Sequence, residues 1–247
     1  MTRTCIIIPA RYASSRFPGK PLAEICGRPM VVRVADIASQ ALERNHVFIA
    51  TDDPRIVDVA VKYGYKALMT DSHLMTGTDR VAQAASQLDY DIIVNVQGDE
   101  PTLNFEDIKQ AIKLSSLNPD TVLNGYTCIG PMDSSSSPNI PKVVMSASGR
   151  LLYASRAEIP SSKTGTSPAS YINKQVCIYA FRKKHLKLFA SQSHKTKLES
   201  IEDIEILRFL ELDIPVTMFL CSSGSLAVDE PSDLGKVSDY IQGLSKP

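Results

Sequence analysis

The chain has 247 residues, 43% of them hydrophobic and 22% charged, which is enough to build a proper core and excludes a disordered or low-complexity protein. Lys and Arg together number 27, as do Asp and Glu, so the formal net charge is +0 and no overall attraction to nucleic acid or an anionic membrane surface is expected. Five scattered cysteines without a CxxC pair, no apolar run able to span a bilayer and an amino end that enters a strand after three residues exclude a disulfide framework and a structural zinc site, and point to the cytoplasm.

The first predicted strand, Thr4 to Pro9, runs directly into a loop carrying Arg11, Ser14, Ser15, Arg16, Gly19 and Lys20. The two guanidinium forks match phosphate oxygens in bidentate fashion, Lys20 adds a mobile point charge, and the serines add short donors. Gly19 lets the backbone turn closely about a ligand. A solvated basic loop is the plain alternative; the interleaving of Ser, Gly and Pro with cations at a strand's carboxyl end favours a polyphosphate site. The loop matches neither GxxxxGK[ST] nor GxGxxG, which counts against an NAD(P) oxidoreductase.

Further strands are predicted at His46 to Thr51, Lys66 to Met69 and Asp91 to Val96, each short, apolar and bounded by turn residues. Between them run three helical patterns, carried by Val34, Ile37, Ala38 and Ala41, by Ile56, Val59, Ala60 and Tyr63, and by Val81, Ala84, Ala85 and Leu88. Asp53 and Pro54 open the second with a capping carboxylate and a first-turn proline. This alternation predicts right-handed crossovers and a parallel sheet, with ligands outside the carboxyl ends of its strands. Thr76-Gly77-Thr78-Asp79-Arg80, at the head of the third helix, reads first as an N-cap followed by a surface arginine, and second as a contact to a base or ribose. Gln97-Gly98-Asp99-Glu100-Pro101 closes the fourth strand. Asp99, after a glycine at a strand end, is well suited to a hard cation such as magnesium, with Glu100 either supporting it or exposed.

The second half changes character. Ser134 to Ser137 and Ser161 to Ser170 read as loops, while Lys142 to Met145, Leu151 to Tyr153 and Gln175 to Phe181 read as strands without helices between them. An antiparallel piece inserted at about 130–195 in a single domain is the expectation. One helix is predicted from Leu198 to Leu212, with Ile201, Ile204, Leu207 and Leu210 on one side and Glu199, Glu202 and Glu205 elsewhere on its surface. A strand at Val216 to Leu220 and a turn at Ser222 to Ser225 follow, then Val228-Asp229-Glu230-Pro231 opening a last helix. Asp229 is a candidate to join Asp99 on magnesium or, equally, to cap that helix. The four histidines lack metal-ligand spacing and no GxSxG occurs, so covalent catalysis has no candidate.

Taken in order, RYASSRFPGKPL, Met69-Thr70, TGTDR, NVQGDEP, YASRAEIP and VDEPSDL closely resemble the 3-deoxy-manno-octulosonate (Kdo) cytidylyltransferases, also called CMP-Kdo synthetases, over roughly Thr4 to Tyr240. The resemblance implies a nucleotidyltransferase-type, Rossmann-like α/β domain with a mostly parallel sheet, and a smaller antiparallel insertion serving dimerisation and sugar binding. It implies that Arg11, Ser14, Arg16 and Lys20 grip the CTP phosphates, that Thr70, Thr78 and Arg80 lie beside the nucleoside, and that Asp99 and Asp229 hold Mg²⁺. Gln97, Arg156, Gln175, Tyr179 and Glu205 fall to an acidic eight-carbon sugar, with Lys20, Arg16 and Asp99 as the catalytic set. The reaction implied is attack of the anomeric 2-hydroxyl on the α-phosphorus of CTP, releasing pyrophosphate, in a cytoplasmic homodimer. Gln175 and Cys177 stand where the family generally shows a histidine and a glycine, and Ile206 where it shows a glutamine. An 8-amino sugar acid is therefore the alternative acceptor, and a non-catalytic nucleotide-binding homologue the alternative function.

Overall fold

The computed structural model describes residues 2–14, 16–130, 133–163, 171–222 and 225–244. Ser15, residues 164–170 of the expected Ser161 to Ser170 loop and residues 223–224 of the expected Ser222 to Ser225 turn lie outside the described residues. Strand β1 (Thr4–Ala10) is apolar and buried from Cys5 to Ala10, as a strand covered on both faces requires. Ile6 and Ile8 face one layer and Cys5 and Ile7 the other, all fully buried, and each isoleucine contributes about 2–3 kcal/mol of hydrophobic stabilisation.

β1 pairs in parallel with β4 (Val47–Thr51) and β6 (Ile92–Val96), and β4 with β5 (Lys66–Met69). α1 (Met30–Ala41), α2 (Pro54–Lys62) and α4 (Phe105–Leu117) cover the Ile6 face. α3 (Gly77–Ser86), α5 (Lys183–Ala190) and α7 (Ile206–Glu211) cover the Ile7 face. Asp53 caps α2 as anticipated, its carboxylate accepting from the Arg55 amide at 2.9 Å. The sequence pattern leaves α4 and β7 (Val122–Cys128) unassigned; Asn104 caps α4, accepting from the Glu106 amide at 3.0 Å.

The sheet continues through β10 (Asn173–Arg182), antiparallel between β6 and β7, to the edge strand β11 (Val216–Leu220), parallel to β7. β8 (Lys142–Met145) and β9 (Leu151–Ser155) form the expected antiparallel pair and join the outer end of β10. A small ribbon, β2 (Glu24–Ile25) with β3 (Arg28–Pro29), packs on the last helix, α8 (Asp233–Leu244), through Ile25, Met30, Val228 and Val237.

One element differs from the pattern. The single helix expected at Leu198 to Leu212 is two, α6 (Lys197–Glu202) and α7, separated at Asp203, whose φ of 51° is left-handed and ends α6. Glu199, expected on the surface, is fully buried, while Ile201, expected on the apolar side, is 70% exposed. The break lets Glu199 and Glu205 turn inward on different partners.

Candidate active site

At the carboxyl ends of β1 and β6 a cleft of about 420 Å³ opens. The loop after β1 is closed by the Gly19 amide donating to the Tyr12 carbonyl at 2.9 Å. Gly19 has φ of 72°, the left-handed region that favours glycine, and a Cβ there would stand 3.3 Å from the Tyr12 ring, a tight contact. Arg55 lies 3.4 Å over the other part of this arrangement, the Tyr12 ring, and Asp53 anchors Arg55 through two side-chain bonds. The Ser14 hydroxyl accepts from the Phe17 amide at 3.3 Å.

This loop aims its cations at two acidic strand-end segments. Lys20 donates to Asp99 Oδ2 at 2.8 Å and to the Val228 carbonyl at 2.9 Å, and Arg16 stands 3.3 Å from Asp229 Oδ1. The Val228 amide donates to the Asp99 carbonyl at 2.9 Å, which stitches the two acidic segments together. Gly98 brings Asp99 flush against β1: a Cβ there would lie 2.8 Å from the Pro9 carbonyl oxygen. Among the described residues no α8 amide donates to the Asp229 side chain; Asp233, the first residue of α8, instead reaches back and accepts from the Asp229 and Glu230 amides at 3.0 Å each. Arg11, Ser14, Arg16, Lys20, Asp99 and Asp229 thus all line one cleft.

A second cluster lines the same cleft. Glu205 accepts from the Gly77 amide at 3.0 Å and the Thr78 amide at 2.8 Å, occupying the amino end of α3. Burial raises its carboxyl above the ordinary carboxylate range, against the lowering effect of the Thr78 and Gly77 bonds. Gly77 sits close under these side chains: a Cβ there would stand 3.3 Å from the Gln97 amide and 3.4 Å from Glu205, so either would have to give by a few tenths of an ångström. Thr76 caps α3, accepting from the Asp79 amide at 3.1 Å. Arg80 is not the surface arginine of the favoured reading: it is 3% exposed, donates to Thr70 Oγ1 and, at 3.2 Å, to Asp52, and still lines the cleft. Burial lowers its pKa, and neighbouring Arg11 acts in the same direction. Thr70 and Thr78 are buried beside it, outside the cleft lining.

Of the five residues expected at the sugar, Gln97 and Glu205 line the cleft. Arg156 does not; its guanidinium donates to the carbonyls of Pro138 at 2.6 Å, Asp203 at 2.8 Å and Glu202. Gln175 is buried in the sheet, donating to Asn124 at 2.8 Å. Tyr179 is buried behind the cleft, its hydroxyl raised well above 10.0 by burial, with Cys177 and Glu205 adding to the effect. Cys177 and Ile206 likewise stand outside the lining. Glu100 is buried, accepting from the Cys177 amide at 3.3 Å and from the Ser225 hydroxyl, and burial raises its carboxyl.

Sequence reasoning missed Lys195 and Asp203, which line the cleft and pair at 2.6 Å. No local signal marks them: Lys195 is one polar residue among several before α6, and Asp203 falls inside a helical pattern. The two cleft carboxylates Asp99 and Asp229 fit a hard divalent ion whose remaining positions are filled by phosphate oxygens and water. Among the described residues no group of three or more His, Cys, Asp or Glu side chains could hold a metal ion alone.

A family model described as cytidylyltransferase matches residues 5–214. The chain is 40% identical over 248 residues to a 3-deoxy-manno-octulosonate cytidylyltransferase of Syntrophotalea carbinolica, covering 96% of this chain and 98% of that one. It is 37% identical over 252 residues to a protein of the same name from Syntrophus aciditrophicus, covering 100% of both. A solved structure of CMP:2-keto-3-deoxy-manno-octonic acid synthetase complexed with CTP superposes with a TM-score of 0.89 at 33% identity, covering 98% of this chain and 100% of that one.

Proposed function

The chain belongs to the cytidylyltransferase family and is a nucleotidyltransferase, and from that premise we propose that it transfers CMP from CTP to the anomeric 2-hydroxyl of Kdo, releasing pyrophosphate and supplying CMP-Kdo for lipopolysaccharide or capsule. The observation that carries this reading is the meeting of Arg11, Arg16, Lys20, Asp99 and Asp229, drawn from three separate segments, in one cleft. Similarity over the full chain to relatives named for the same reaction supports the acceptor.

Attack of a hydroxyl on an already anionic phosphate is opposed by charge, so the site must position the reactants and neutralise charge. Lys20 and Arg16 leave their carboxylate partners for the phosphates of CTP, and Arg11 and Ser14 complete that grip. Asp99 and Asp229, released from those cations, are the residues that would hold Mg²⁺; when bound, the ion neutralises phosphate charge and orients the leaving pyrophosphate. Arg80, supported by Thr70, serves the nucleoside, with Thr78 behind it. Gln97 and Glu205 orient the acceptor hydroxyls, while Arg156, Gln175 and Tyr179 act from behind the lining.

The chain acts as a homodimer through its inserted region, a reading supported by the exposed apolar side chains of Leu152, on β9, and Tyr171, just before β10. Five free cysteines, and the absence among the described residues of any helix long and apolar enough to cross a membrane, support cytoplasmic action. Incubation with CTP, Mg²⁺ and a panel comprising Kdo, its 8-amino relative and nine-carbon ulosonic acids, with pyrophosphate followed, tests the assignment. Kdo is expected to be turned over with the highest kcat/KM. Preference for another acid overturns the acceptor, and no pyrophosphate with any of them overturns catalysis.

A further inference from the structure

Arg208 is fully buried, and its side chain takes no part in the chemistry described above. Its guanidinium nevertheless makes five hydrogen bonds. Nε and Nη2 each donate to Glu199 at 2.6 Å, Nη1 and Nη2 donate to Asp79 at 2.8 and 3.3 Å, and Nη1 also reaches the Phe189 carbonyl at 3.2 Å. The Phe189 ring lies 3.7 Å from the guanidinium carbon. One side chain therefore ties together α3, α5, α6 and α7.

One of those ties, to Asp79, leads to the cleft, and Glu205 on the same segment reaches it independently. Asp79 accepts from Thr76 Oγ1 at 2.7 Å, and Thr76 lines the cleft. Three residues before Arg208, Glu205 holds the Gly77 and Thr78 amides. The α3 amino end is thus gripped twice from the α7 segment, once directly by Glu205 and once through Arg208 and Asp79. Only a planar fork meets two carboxylates at once, one edge to each; an ammonium on a flexible stem keeps the charge and loses that geometry.

We propose that Arg208 is a positioning residue: by clamping Asp79 and Glu199 it holds Thr76, Gly77 and Glu205 in register as the wall of the cleft that faces the acceptor sugar, an inference that rests on the preceding reading of the cleft. Catalysis is sensitive to a shift of this wall of about 1 Å, because the acceptor hydroxyl must be held in line with the α-phosphorus.

The test compares wild type, Arg208→Lys and the triple variant D79N/E199Q/R208M, which removes the fork and both buried carboxylate charges together and so avoids leaving a charge unpaired. Pyrophosphate release is measured against Kdo and CTP separately, and melting is measured with and without CTP. The expected result is a folded R208K whose melting is still raised by CTP, whose KM for CTP stays within about twofold, and whose kcat/KM for Kdo falls at least about tenfold. The triple variant is expected to melt near wild type and to remain as impaired. A folded R208K or triple variant with wild-type kcat/KM for Kdo overturns the proposal. So does a loss shared equally by CTP and Kdo, or failure of both variants to fold, since Arg208 would then serve only the fold. Absence of turnover in the wild type itself overturns the acceptor reading, and this assignment of the wall with it.

Discussion

The cluster around Lys20 and the cluster around Glu205 line the same cleft, but water reaches the first and not the core of the second. The Arg16–Asp229 pair has side chains 55% and 32% exposed and the Lys20–Asp99 pair 16% and 33%, whereas Arg208, Glu199 and Asp79 are 0%, 1% and 6% exposed. Pairs of the first kind contribute about 0–1 kcal/mol, so each cation and each carboxylate can exchange its partner for a phosphate or a metal ion at little cost. Breaking a buried pair of the second kind costs about 3–5 kcal/mol, so that arrangement is maintained whether or not substrate is present. Under the proposed function, one half of the cleft changes partners on binding, while the other is preorganised by its buried pairs.

The largest effect should come from removing Asp99, the carboxylate proposed to hold the metal ion in the exchangeable half. Asp99→Ala is expected to lower CTP-dependent pyrophosphate release at least about a thousandfold with the fold intact, and near-normal turnover would show that Asp99 does not exchange Lys20 for a metal ion. Lys20→Met should reduce kcat about a hundredfold or more while KM for the sugar acid changes little, because a cation aimed at developing phosphate charge acts mainly in the transition state. An effect confined to sugar KM would move Lys20 to the other half.

The preorganised half has a pH signature. Burial raises the Glu205 carboxyl, so the folded protein binds this proton at a higher pH than the unfolded chain does. Its contribution to stability is complete in acid, below the ordinary carboxylate value, and is lost as pH rises through the raised value. Glu205→Gln should therefore flatten melting temperature against pH across that interval and lower kcat/KM for the sugar acid about tenfold, since charge-assisted bonds to two amides are lost. An unchanged melting profile would show that the carboxyl is not held in its raised state. Smallest, and outside both clusters, is His185 on α5, which burial, with a further contribution from Lys184, pulls down from 6.5 to about 4. Its neutral form stabilises the fold above 6.5, and that stabilisation is lost as pH falls toward 4. His185→Asn should flatten the acid side of the melting profile by about 5 °C and leave neutral-pH turnover unchanged; a loss of turnover would extend the preorganised half to α5.

The exchangeable half was legible in the sequence because its chemistry is contiguous. Arg11, Ser14, Arg16, Gly19 and Lys20 follow one apolar strand, and Asp99 follows another, so strand-end logic places both before any coordinates are known. The strand and helix alternation of the first half was readable for a related reason: an apolar period of two or 3.6 is a local property. The preorganised half was legible only in part: the resemblance assigns Gln97, Glu205 and Arg80 to the substrates, and all three line the cleft, but their burial and pairing have no local signal. Arg208 and Asp79 are 129 positions apart, and nothing near either residue distinguishes a buried fork from a surface charge. The same holds for Arg80, whose neighbours suggest a solvated cation until Thr70 and Asp52 are folded around it.

The sheet-forming pattern, the cationic loop proposed for phosphate and the two aspartates proposed for a metal ion can be read from the chain alone, since each depends on residues close in the chain or on a motif read in order. Folding alone reveals which charges are buried, the break of one expected helix at Asp203, and the entry of Lys195 and Asp203 into a cleft whose lining leaves out Arg156 and Gln175. The physical reason is that burial and pairing depend on what long-range packing brings into contact, and a side chain's chemistry does not reveal its partner until the chain has closed around it.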